Sequence, residues 1–200
     1  MQNIIPKWTD PEDLHGCARF DPLFSTSLVS ITGWRCLFDG PALAQERSHS
    51  WHVLTLVSSG AYVFLSQGCS VLVAPCCATL HVPDLPYNTE HPFGCGDRGW
   101  NLAIRKDVLE EVLAPQGGLP AASSVRPVSG RVLLRLRLLL EPGGAEPLAV
   151  EEAALQVLDG WAGEPGRRER GRPATATAHR RCVERAQLVL YERRFEPLRL

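Results

Sequence analysis

Along this chain the spacing of apolar positions changes character twice. From residue 27 to about 105 the apolar stretches are short, strand-like, and separated by clusters of Gly, Pro, Asp and Asn. Candidate strands cover 28–38, 51–58, 61–66, 70–74, 76–82 and 99–105, and they are rich in Val, Leu, Thr and aromatic residues. Ser58-Ser59-Gly60 and Gln67-Gly68 have the composition of hairpin turns. Six short strands without a helical crossover between them predict an antiparallel sandwich or barrel. Residues 1–26 carry turn formers and little periodicity, and read as an arm with room for one short helix.

After Arg105 the period lengthens. Residues 106–114 (KDVLEEVLA) predict a short helix, stopped by Pro115 and Gly117-Gly118. A second helix is predicted over 127–140, with Ser129 as its cap and Val132, Leu133, Leu136, Leu139 and Leu140 on one broad stripe. Following the break Glu141-Pro142-Gly143-Gly144, residues 148–162 place Val150, Ala154, Val157, Leu158 and Trp161 on a single helical face. Two apolar-faced helices joined by a short loop predict an antiparallel hairpin. Its apolar surface has two readings. It packs on the chain's own sheets, or it makes a subunit contact, for which Leu133, Leu136, Leu140, Val150 and Leu158 are the candidates. Residues 163–178 form a Gly-, Pro- and Arg-rich linker, and 179–196 regain a helical pattern through Val183, Ala186, Leu190 and Tyr191.

Two hundred residues, 44% of them hydrophobic, suffice for one full domain with a buried core and appended helices. No apolar run approaches the roughly 18 residues of a membrane span. The first residues, MQNIIPKWTDPEDLHG, lack the basic tip and apolar stretch of a signal peptide. A cytoplasmic protein with no membrane partner is expected. The seven cysteines are odd in number and follow no paired CxxC zinc pattern. In a reducing compartment they read as small hydrophobes, with thiol or metal sensing as the alternative. The net charge of −1 hides an asymmetry: residues 167–200 hold ten Arg against four Glu, or +6, and leave −7 on the rest. A basic tail on an acidic body fits a nucleic-acid partner or a solvated linker equally well.

The order of several motifs adds to this reading. His91-Pro-Phe-Gly-Cys-Gly-Asp-Arg-Gly resembles the HP…GGD signature in one branch of the AraC/XylS transcription regulators. Leu56-Val57-Ser58-Ser59-Gly60-Ala61-Tyr62-Val63-Phe64 is similar to that branch's glycine-centred hairpin. The stretch 74–86 resembles its strand and Pro-rich turn. His179-Arg-Arg-Cys-Val-Glu-Arg-Ala, ending in Phe195-Glu-Pro-Leu-Arg-Leu, is similar to the segment that opens its DNA-binding half. The resemblance covers roughly 27–200. It implies a mainly β, α+β fold: a cupin-like antiparallel β-barrel, a helical hairpin and a linker helix. The implied organisation is an arm over 1–26, a sensing and dimerising domain over 27–162, a linker over 163–178, and the start of a helix-turn-helix region over 179–200. It further implies a homodimer, a small-molecule effector, and DNA contact through a C-terminal domain. About a hundred further residues of that domain are expected and absent, so the chain reads as a fragment or a truncation without a base-reading element.

Many cupin barrels are metal enzymes, which implies an HxH pair, a following Glu and a later His. Here the matching region is His49-Ser-Trp-His52, an HxxH spacing whose two rings would face opposite sides of an extended strand. No Glu follows before Gly60, and the later histidine position is Tyr87. P-loop, GxSxG, HExxH and GxGxxG motifs are absent too. A binding domain is therefore expected instead of an enzyme, with no cofactor. Its candidate ligand-binding residues are Trp34, His52, Tyr62, Phe64, His81 and Trp100, set against the plain reading that these aromatics fill a core. Cys36, His91 and Cys95 form an alternative thiol or zinc set. Cys76 and Cys77, as strand neighbours, should face opposite ways.

Overall fold

The structure is a computed structural model that describes residues 18–37, 42–43, 46–91, 96–141 and 146–163. Contacts divide the chain at Gly163/Glu164. The linker expected beyond Gly163 and the helix expected over 179–196 lie outside the described residues.

Among the described residues, ten strands and three α-helices follow one another. They are β1 (Ala18–Ser25), β2 (Val29–Cys36), β3 (Ala42–Leu43), β4 (Val53–Ser59), β5 (Tyr62–Ser66), β6 (Cys69–Val73), β7 (Cys77–His81), β8 (Asn88–His91), β9 (Arg98–Ile104), α1 (Lys106–Leu113), β10 (Ser124–Pro127), α2 (Gly130–Leu139) and α3 (Pro147–Ala162). The strands make two antiparallel sheets, one ordered β1-β2-β9-β4-β7-β10 and the other β3-β8-β5-β6. All six predicted strands are present, and the three helices stand within a few residues of their predicted bounds.

Four further strands escaped the pattern. β1 falls within the stretch read as an arm. It is an edge strand, mostly exposed, carries Pro22, and its register with β2 shifts between Pro22 and Phe24. Edge strands tolerate proline and need no alternation. β3 and β8 are very short, and β10 is four residues pairing only with β7. Of the two expected hairpin turns, the structure forms one. Gln67-Gly68 is a true hairpin turn, with both residues at positive φ and Ser66 opposite Cys69. Ser58-Ser59-Gly60 instead carries the chain from the six-stranded sheet to the four-stranded one. Gly60 sits at φ +83, and a Cβ there would lie 2.6 Å from Cα of Asp97. The corner therefore needs glycine.

One face of the large sheet buries the helices. Val29, Ile31, Leu54, Leu56, Ala78, Leu80 and Leu102 pack with Leu109 and Leu113 of α1, Leu133 and Leu136 of α2, and Val150, Val157, Leu158 and Trp161 of α3. Ser129 stands at the start of α2, as expected, but its hydroxyl makes no capping hydrogen bond. Arg135 of α2 ties the hairpin together through Glu152 (2.8 Å) and Gln156 (2.9 Å) of α3. At the other end of α3, Arg126 of β10 lies over the Trp161 ring at 4.6 Å and donates to the carbonyls of Trp161 and Ala162.

This packing corrects the expected subunit contact. Leu133, Leu136, Val150 and Leu158 are buried in the chain's own core, and Leu140 packs against it. The buried stripes of α2 and α3 are thus taken up by the sheet and by each other. The exposed leucines of the hairpin are Leu134, Leu138 and Leu148. Among the described residues, no helix is long and apolar enough to cross a membrane.

Candidate ligand site between the two sheets

The other face of the large sheet looks toward the small one, and its composition differs from the helix side. Pairing places Thr32 opposite Asn101, Asn101 opposite Thr55, and Thr55 opposite Thr79. This is an unbroken polar row across β2, β9, β4 and β7. All four residues are buried. Thr55 donates to Asn101 Oδ1 at 2.9 Å. A neighbouring row runs Ser30, Ala103, Val53 and His81, and a third holds Trp34, Gly99 and Val57. Gly99 gives the Trp34 indole its place, since a Cβ there would lie 2.8 Å from Cζ2 and collide with the Leu56 carbonyl.

The small sheet answers with aromatic rings. Tyr62, Phe64, Val73 and Tyr87 cluster with Val57, and Trp34, Cys77 and Val125 pack against them. Phe64, His49, His81 and Tyr87 form a ring cluster, the closest pair being His81 and Tyr87 at 4.4 Å. The Trp34 and Tyr62 rings meet edge to face at 6.2 Å. Of the sequence candidates, Trp34, Tyr62, Phe64 and His81 thus converge between the sheets. Trp100 and His52 do not. Trp100 packs with the helix-side core. Burial, then the Lys106 charge on α1, lowers the His52 pKa, so its charged neighbours are on the helix side.

The site is electrically quiet. Burial, helped by the Arg47 charge, lowers the His49 pKa to about 4. Burial, then His49, holds His81 well below its ordinary value. Desolvation raises the Tyr62 phenol out of reach, the nearby Thr79 hydroxyl offsetting only part of this. Both histidines are neutral at neutral pH. Among the described residues, Thr32 Oγ1, the Trp34 indole N–H and His81 Nδ1 are buried without a hydrogen-bond partner. Such orphans are rare in folded proteins and call for a water or a ligand.

His49, Tyr87 and the threonine–asparagine row were not among the sequence candidates. Their signal was present: polar residues at alternate positions of strands whose other face is wholly apolar mark a buried polar interior. Reading it requires knowing that both faces are covered.

At one end of this space a second group assembles. Cys36 closes β2, His91 closes β8, and Asp97 precedes β9; one ligand atom from each lies within 4.8 Å of the others. His91 Nδ1 is 3.0 Å from Asp97 Oδ1 and 3.7 Å from Cys36 Sγ, and Nε2 is 3.2 Å from Thr89 Oγ1. The sequence pair Cys36 and His91 is thus brought together, with Asp97 added. Cys95 lies outside the described residues. Cys76 is exposed in a turn at φ +68, while Cys77 begins the strand and faces the small sheet's cluster.

No family model matches this sequence, and no curated protein matches it. Among solved structures, the AraC-like transcriptional activator CuxR is similar, with a TM-score of 0.53 at 16% identity over 83% of this chain. The match takes in 63% of CuxR, under two thirds of its length. A cupin domain from Bordetella pertussis covers 44% of this chain and 92% of its own, at 14% identity and a TM-score of 0.34. A cupin superfamily protein from Desulfitobacterium hafniense covers 52% and 96%, at 16% identity and a TM-score of 0.35. In topology, the described part of this chain has a mainly β, α+β fold of two antiparallel sheets with helices on one face, and CuxR shares that fold.

Proposed function

We propose that this chain is the effector-sensing and dimerising part of an AraC-type transcription regulator, with the space between the sheets as its effector site. The observation that carries the reading is the set of orphaned polar groups, Thr32 Oγ1, Trp34 N–H and His81 Nδ1, buried among aromatic rings. The likeness to an AraC-like activator over 83% of the chain supports the regulatory context. With both histidines neutral, the effector is a small uncharged molecule that presents a flat or apolar face to Phe64 and Tyr62. It also presents at least one acceptor, for the Trp34 N–H. The site binds and does not turn over. Sequence-specific DNA contact belongs to a C-terminal domain, and two copies pair through the hairpin to reach two half-sites.

An effector shifts a regulator only by binding its two conformations with different affinity. Thermal melts across a library of small uncharged metabolites test the assignment. A true effector at a hundred times its Kd adds about 2.7 kcal/mol of stability. Stabilisation confined to anionic compounds would overturn the chemistry assigned to the site.

A further inference from the structure

We propose that Cys36, His91 and Asp97 form a binding site for a zinc-class divalent ion. The three side chains come from the ends of three strands, and all are buried. A tetrahedral zinc with bonds of about 2.0–2.3 Å has ligand-to-ligand edges of roughly 3.3–3.7 Å. The observed separations of 3.0 Å (nitrogen to oxygen) and 3.7 Å (nitrogen to sulfur) are close to these edges, and with all three atoms within 4.8 Å of one another the sulfur and oxygen need close by no more than about 1 Å to share an ion. Thiolate, carboxylate and neutral imidazole together cancel the charge of a divalent ion, which a buried site requires.

Two details favour a cation over a hydrogen-bonded pair. Asp97 Oδ2 is buried without a partner among the described residues, although Asp97 is only 1% exposed. His91 Nδ1 faces both Asp97 Oδ1 at 3.0 Å and Cys36 Sγ at 3.7 Å, and one ring N–H serves a single acceptor whereas one shared cation engages all three atoms. The backbone holds the ligands in place. The Cys36 N–H donates to the Asp97 carbonyl at 2.8 Å, and Gly60 packs directly beneath Asp97. A nucleophilic triad is a poor fit, because sulfur and carboxylate address the same ring nitrogen and no proton can be relayed through the imidazole. The His91 ring lies 6.1 Å from that of Tyr62, but the site uses none of the His49, His81 and Tyr87 side chains and does not depend on the effector reading.

Cobalt(II) titration of the full chain, reduced and stripped with chelator, tests the site. One ion per chain should bind, with visible ligand-field bands and a near-ultraviolet thiolate-to-cobalt band, and zinc should displace it. C36S should lose the thiolate band, while C69S, C76S and C77S keep it. The near-isosteric D97N should weaken binding at least about tenfold, comparable to losing an important metal-site contact. It also keeps the test open should C36S not fold. T32V, in the effector space, should bind cobalt as wild type does, so failure here and failure of the effector reading stay distinguishable. Absence of the thiolate band in wild type, its survival in C36S, or unchanged affinity in D97N would each overturn the site.

Discussion

The Tyr87 hydroxyl lies 2.9 Å from His49 Nε2, and the two rings stack with centroids 5.4 Å apart. Tyr87 thus offers a phenol that can donate to a neutral imidazole. His81 stands against both rings, at 4.8 Å from His49 and 4.4 Å from Tyr87. Protonating either histidine would place a buried cation among aromatic rings and beside the other ring. The arrangement suits hydrogen bonding to an uncharged molecule and disfavours protonation of either ring.

A pH dependence of stability follows. Both histidines have folded pKa values below the unfolded value, His49 at about 4. Between about pH 6.5 and 4 the unfolded chain therefore binds more protons, and stability falls as pH falls. Each histidine contributes a slope of about 1.4 kcal/mol per pH unit in that window, and neither contributes above about pH 7. Urea midpoints from pH 7.5 to 4.5 should show this loss, and H49N should remove about one histidine's share. A flat profile in wild type would contradict the buried, neutral assignment.

The hairpin makes a prediction that separates core from interface. Leu136 is wholly buried against the sheet, whereas Leu134 and Leu138 are more than half exposed and lie one turn apart. L136E buries an unpaired charge and should cost more than about 4 kcal/mol, unfolding the domain at any concentration. The L134E/L138E double variant should melt within about 1 kcal/mol of wild type, since surface changes cost little. If two copies pair on this face, it should also be monomeric in light scattering. A wild-type monomer at tens of micromolar, or a dimer that survives L134E/L138E, would remove the hairpin from the interface.

Much of the fold was legible because most strands here have one wholly apolar face. Leu54 and Leu56, or Leu102 and Ile104, alternate with other residues in a way only a strand explains. β1 was not legible, because an exposed edge strand containing Pro22 has no such constraint. The site was half legible. Large rings such as Trp34 and Phe64 stand out in any sequence, but whether a ring faces helices or the other sheet depends on register. Trp100 and Trp34 lie on neighbouring strands and face opposite ways, a difference of one residue in pairing. Thr32, Thr55 and Thr79 look like ordinary strand residues until the second sheet covers them. Asp97 stands six residues from His91 within one motif, but Cys36 joins them only through long-range pairing, its N–H bonded to the Asp97 carbonyl where β2 meets β9.

The most direct test of the effector site is the substitution T32V, measured for both ligand-free stability and ligand binding. Valine keeps the shape of threonine and removes a hydroxyl that is buried without a partner among the described residues. A hydroxyl kept for the fold makes a hydrogen bond, and losing it costs about 1 kcal/mol; an unsatisfied one kept for a ligand costs stability while it waits. T32V should therefore raise the ligand-free urea midpoint, by the equivalent of about 1 kcal/mol, and weaken binding of any molecule that stabilises wild type. A lowered midpoint with unchanged ligand binding would contradict the account, since Thr32 would then serve the fold and the space between the sheets would be ordinary core.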